Sequence, residues 1–141
     1  MKQLIAALLL LPGLVAGAVA AEEPSAEVNK ESFSKERFEA LKAAGQVVLV
    51  DVYAGWCPTC AKQQEVIQQY REDNPGKEFH VLEVDFDKDK QWVRHFRAPR
   101  QSTLLLYAGE QQMWFGVAET RPDVIAAELD KALAAAAEGG S

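Results

Sequence analysis

The chain has 141 residues, 48% of them hydrophobic, and a formal net charge of −6. That length is a prior for one domain, and the acidic balance argues against nucleic acid and anionic membrane surfaces as partners. Cys57 and Cys60 are the only cysteines, which leaves room for one disulfide and too few thiolates for a four-ligand structural zinc site.

Lys2 precedes an apolar stretch over residues 4–19, broken by Pro12, Gly13 and Gly17 and closed by the small-x-small triplet Ala18-Val19-Ala20. This layout predicts a cleaved secretory signal peptide over residues 1–20 and no stable membrane insertion after cleavage. Residues 21–32 are polar and read as a linker, and a single domain is expected over residues 33–137. Ser34 is placed to cap a helix carrying Phe38, Leu41 and Ala44 inward and stopped by Gly45. Residues 46–53 form a near-continuous apolar run rich in β-branched residues, the pattern of a buried central strand. A polar helix follows over residues 57–72, with Val66, Ile67 and Tyr70 as its apolar contacts, ended by Asn74-Pro75-Gly76. A strand is expected over 79–84, a short helix over 88–96, and strands over 103–107 and 112–117 joined by the turn Ala108-Gly109-Glu110. Thr120 is placed to cap a last helix bearing Val124, Ile125, Leu129 and Leu133, and residues 138–141 are expected to fray. Helices between the first three strands and a tight turn before the fourth predict an α/β fold with a mixed four-stranded sheet flanked by helices.

Export gives the cysteines an oxidising surrounding. Closing a two-residue spacer removes little unfolded-state entropy, so a purely structural disulfide is disfavoured against a redox pair. The motif Cys57-Pro58-Thr59-Cys60 falls where a strand ends and a helix begins. There the free backbone N–H groups and the positive end of the helix dipole stabilise a thiolate. Cys57 is therefore the expected nucleophile, and Cys60, one turn further in, the expected resolving thiol. Pro58 suits a first helical turn, while Thr59 brings no charge. Asp51 lies inside the apolar run, six residues before Cys57. Burial raises a carboxyl's pKa, and a raised pKa suits proton exchange with Cys60 near neutrality. Trp56 offers a flat apolar surface for shielding the thiolate or receiving a substrate chain.

Residues 48–60, Val-Leu-Val-Asp-Val-Tyr-Ala-Gly-Trp-Cys-Pro-Thr-Cys, resemble the active-site strand and helix start of thioredoxin, with Asp51, Trp56, Cys57 and Cys60 at matching positions. Ser102-Thr103-Leu104-Leu105-Leu106-Tyr107, then Gly109-Glu110 and Gly116, resemble that family's later strand and hairpin. The resemblance covers about Phe33 to Leu133. It implies a thioredoxin-like fold, Cys57 as nucleophile, Cys60 as resolving thiol and Asp51 as proton acceptor. It also implies that Trp56, Pro58, Thr59, Gln101, Ser102 and Thr103 line the substrate site. With the export signal it implies a periplasmic, monomeric thiol–disulfide oxidoreductase without a cofactor. Such a protein acts on protein disulfides, and with no thiolate-stabilising histidine between the cysteines it is expected to act as a reductant supplied by a membrane electron donor. The other class to weigh is a metal-, iron–sulfur- or partner-binding module of the same fold without turnover. Three features depart from the family. Pro58-Thr59 replaces its Gly-Pro, Glu65 replaces a helix-kinking proline, and Ser102 replaces the cis-proline that faces the cysteines. A cis bond before a non-proline residue costs about 2.5–4 kcal/mol, so Gln101–Ser102 is expected to be trans.

Overall fold

The computed structural model describes residues 30–140. The signal peptide, most of the segment read as a linker, and Ser141 lie outside the described residues.

Alternation along the central strand decides the layers. In β2 (Val47–Tyr53), Val47 and Leu49 point to one face of the sheet, and Val48, Val50 and Val52 to the other. Both faces are covered, which is why the strand is apolar throughout. On the first face Val47 and Leu49 join Val81, Leu104 and Leu106 beneath two helices, α2 (Pro58–Asp73) and α4 (Pro122–Gly139), which contribute Val66, Ile67, Tyr70, Ile125 and Leu129. On the second face α1 (Lys35–Ala43) and α3 (Lys90–His95) lay Phe38, Leu41 and Val93 over Val48, Val50, Val52, Leu82 and Leu105. The remaining strands are β1 (Lys30–Ser32), β3 (His80–Asp85), β4 (Thr103–Ala108) and β5 (Gln111–Val117).

The sheet has five strands in the order β1-β3-β2-β4-β5, one more than expected. β1 and β2 run parallel to β3, while β4 is antiparallel to both β2 and β5. The added strand, Lys-Glu-Ser, lies inside the segment read as a linker. It carries no apolar pattern because it joins through its backbone, pairing Lys30 with Val81 and Ser32 with Glu83 along an open edge.

Helix ends follow local chemistry. Ser34 Oγ accepts from the Arg37 N–H at 3.1 Å and starts α1. Gly45, at φ +72°, turns the chain into β2 in a conformation that side chains resist. At α4 the expected cap is not used. Arg121 occupies the N-cap with no side-chain bond, and Pro122 opens the helix instead. The same helix runs on to Gly139, past the point where fraying was expected. Gly116 leaves room for the Trp114 ring, which a Cβ there would meet at 2.3 Å.

Candidate active site

The end of β2 and the start of α2 bring the two sulfurs into one buried corner. Cys57 is the N-cap of α2, with Pro58 at its first helical position. Its Sγ accepts from the Cys60 N–H at 3.1 Å, so the sulfur itself satisfies one of the free donors of the first turn. Both cysteines are free thiols and both are buried. Pro58 is exposed and Thr59 half-buried, which leaves the spacer at the rim of the site.

Ser102 completes the corner. Its hydroxyl lies 3.2 Å from Cys57 Sγ and 3.4 Å from Cys60 Sγ, and the residue is fully buried. The peptide bond before it is trans, as expected, since no described residue follows a cis bond. The backbone reaches this position in a way composition did not indicate: Ser102 sits in the left-handed region at φ +63°. Several bonds hold it there. Its N–H donates to the Val52 carbonyl at 2.8 Å, and its own carbonyl accepts from the Ala118 N–H at 2.8 Å and from Gln63 Nε2 at 3.1 Å. Gln63 belongs to the helix expected to be polar, and no pattern in the sequence marks it as buried. It is fully buried, and the same Nε2 also donates to the Glu119 carbonyl at 3.0 Å.

The two thiols differ in acidity. Burial pushes both up. For Cys57 this is outweighed by hydrogen bonds from the Cys60 thiol, the Ser102 hydroxyl and the Cys60 N–H, and its pKa falls below the ordinary thiol value. For Cys60 burial and the neighbouring Cys57 prevail, and its pKa rises.

Asp51 is wholly buried on the α2 face of β2. Burial pushes its carboxyl up to about 7, against the lowering effect of a hydrogen bond from Gln64 Nε2 to Oδ2 at 3.3 Å. The same Nε2 donates to Glu83 Oε2 at 3.1 Å. Glu83 is the β3 residue directly opposite Asp51.

The other expected residues scatter around this corner. Trp56 is 62% exposed, and its indole N–H donates to Asp87 Oδ2 at 2.7 Å, so the ring is held at the rim by a residue the sequence did not single out. Gln101 is half-buried and precedes Ser102. Thr103 is buried, and its hydroxyl donates to the Arg100 carbonyl at 2.6 Å, which fastens the loop and turns that group to the chain's own backbone. Among the described residues no group of three or more histidine, cysteine or acidic side chains is placed to hold a metal ion, and no described helix is long and apolar enough to cross a membrane.

Comparison with known proteins agrees with this geometry. The family profile described as Thioredoxin matches residues 25–131. Over 77 residues the chain is 34% identical to Thioredoxin H-type of Oryza sativa subsp. indica, covering 55% of this chain and 61% of that protein. Over 48 residues it is 35% identical to Thioredoxin-1 of Saccharomyces cerevisiae, covering 34% of this chain and 47% of that protein. The aligned segments thus span less than two thirds of either relative. The crystal structure of Trxlp from Edwardsiella tarda superposes with a TM-score of 0.66 at 35% identity, over 71% of this chain and 97% of that one.

Proposed function

The chain belongs to the thioredoxin family, and from that premise we propose that it is an exported thiol–disulfide oxidoreductase acting on protein disulfides. The observation that carries the reading is the asymmetry of the buried pair. One sulfur is supported by the Cys60 N–H and the Ser102 hydroxyl, and the other is raised by its surroundings. The more acidic thiol is the one at the helix N-terminus, where a nucleophile is wanted.

In the reducing direction the Cys57 thiolate attacks one sulfur of a substrate disulfide. A mixed disulfide forms, and the other substrate sulfur leaves as a thiolate. The Cys60 thiol passes its proton to the Asp51 carboxylate. The resulting Cys60 thiolate attacks Cys57 Sγ, closing the Cys57–Cys60 disulfide and releasing the second substrate thiolate. The two cysteines together lose two electrons, which the substrate gains. An Asp51 carboxyl titrating near 7 exchanges this proton at neutral pH with little driving force lost. Trp56, Pro58, Thr59 and Gln101 form the rim that a substrate chain meets. Thr103 acts on the loop instead.

The reductant direction rests on the motif. Thr59 brings no positive charge to lower the nucleophile's pKa further and make the couple a strong oxidant. The leader sequence supports delivery to the periplasm, where a membrane protein would return the electrons. Insulin reduction tests the activity. The wild-type protein accelerates precipitation of the reduced chains, Cys57→Ser abolishes it, and Cys60→Ser accumulates mixed disulfides on Cys57. Activity retained by Cys57→Ser would overturn the enzyme reading. Equilibration with glutathione tests the direction, and a potential as high as about −120 mV would overturn the reductant role.

A further inference from the structure

A single amide on α2 joins two carboxyls in the layer behind the dithiol. Gln64 Nε2 stands 3.3 Å from Asp51 Oδ2 and 3.1 Å from Glu83 Oε2. Carboxylate oxygens only accept, so the amide must present its nitrogen to both, with one N–H aimed at each. Its orientation is thereby fixed. Asp51 Oδ1 has no hydrogen-bond partner among the described residues and is buried.

We propose that Gln64 is a positioning residue of the dithiol site, which, with Glu83, dictates that the exchanged proton resides on Asp51 Oδ1. A protonated Oδ2 would be a weaker acceptor for the Gln64 N–H than a carbonyl oxygen, so the hydrogen bond favours Oδ2 as the carbonyl oxygen of the acid. The acid form of Asp51 therefore carries its proton on Oδ1, the oxygen left free for proton transfer. Glu83 plays the complementary part. It is half-buried, accepts the other N–H of Gln64, and lies 3.6 Å from Lys30 Nζ. The Glu83 charge disfavours a second negative charge on Asp51, while the Gln64 N–H favours it. The groups that act on Asp51 are thus Gln64 from α2, Glu83 from β3 and Lys30 from β1, with Tyr53 further along β2. Of these, the Gln64 hydrogen bond acts more strongly than the Glu83 charge.

The inference rests on Asp51 being the proton partner of the dithiol, and its test keeps the two separable. Gln64→Met preserves length and removes the N–H donor. Glu83→Gln preserves shape and an acceptor oxygen, and removes the charge. The Asp51 carboxyl is titrated by difference infrared spectroscopy, using the protonated-acid band that Asp51→Asn eliminates. The pH profile of kcat/KM for insulin reduction is recorded in parallel. Gln64→Met is expected to move the Asp51 titration up, and Glu83→Gln to move it down, each by at least about half a pH unit. Movement of both in the same direction, or of neither, overturns the proposal. The infrared titration stands even for a variant with no activity. If the neutral-pH step in kcat/KM survives in Asp51→Asn, the role of Asp51 fails, while the infrared result still decides what Gln64 and Glu83 do to it.

Discussion

Ser102 is where this site is most unusual at the scale of single atoms. Its hydroxyl reaches both sulfurs, but one O–H can donate to only one of them at a time. The thiolate is the stronger acceptor, so the bond goes to Cys57 once that sulfur ionises. Ser102→Ala removes this donor and should raise the Cys57 titration by roughly half a unit to one unit, read from thiolate absorbance. An unchanged titration would show that the Cys60 N–H alone supports the thiolate. Backbone and hydroxyl can be separated at the same position. A residue at φ +63° is strained unless it is glycine. Ser102→Gly should therefore lose the thiolate support as Ser102→Ala does, yet be more stable than the alanine variant by about 1 kcal/mol in urea unfolding. Equal stability of the two would mean that the surrounding bonds absorb the strain.

Between elements, the contact that defines the site is the side chain of Gln63. It ties α2 to the loop leading into β4 and to the segment after β5, through the carbonyls of Ser102 and Glu119. Gln63→Leu keeps the volume but takes a donor from two carbonyls, and should destabilise the protein by about 1–3 kcal/mol, measured as a shift of the urea midpoint at constant slope. A neutral outcome would mean that water replaces the amide. This clamp has no signature in the hydrophobic pattern of the chain. Apolar alternation revealed β2 and its partners, and a carboxyl inside that run singled out Asp51. Periodicity could not reveal β1, whose Lys-Glu-Ser residues pair by backbone alone. Nor could it distinguish Gln63 and Gln64 from solvent-facing helix residues. Both find polar partners inside the fold, Gln63 the loop carbonyls of Ser102 and Glu119, and Gln64 the carboxyls of Asp51 and Glu83. The absence of a proline at Ser102 was legible. The left-handed backbone there was not, because it is imposed by bonds from Val52, Ala118 and Gln63, which come from three separate stretches of the chain.

For the whole molecule, Asp51 sets a conflict between activity and stability. Its carboxyl is raised from an ordinary value of 3.8 to about 7 by burial. The unfolded chain ionises this group at the ordinary value, while the folded protein resists ionisation until near neutrality. Stability is therefore fully present below about pH 4 and declines as the pH rises towards 7, after which the loss is constant. The size of the loss is on the order of 4 kcal/mol. Glu119 works in the opposite sense and in another window. Its hydrogen bonds with Arg121 hold it at about 2, so its contribution is lost only as the pH falls towards that value. Between pH 4.5 and 8 His80, whose pKa burial lowers, also contributes, so Asp51 is isolated by comparing the wild type with Asp51→Asn at each pH. Asp51→Asn should be more stable than the wild type, with a difference in unfolding free energy that grows across this range and levels off above pH 7. A gain of the same size at pH 4.5 and pH 8 would mean that packing around the amide, not the titration of the carboxyl, is responsible. The same variant should be slow in insulin reduction, because in the proposed exchange the group that destabilises the fold takes the proton from Cys60. The proposed work on the dithiol accounts for a carboxyl retained at this depth, and a variant that is both more stable and fully active would break that link.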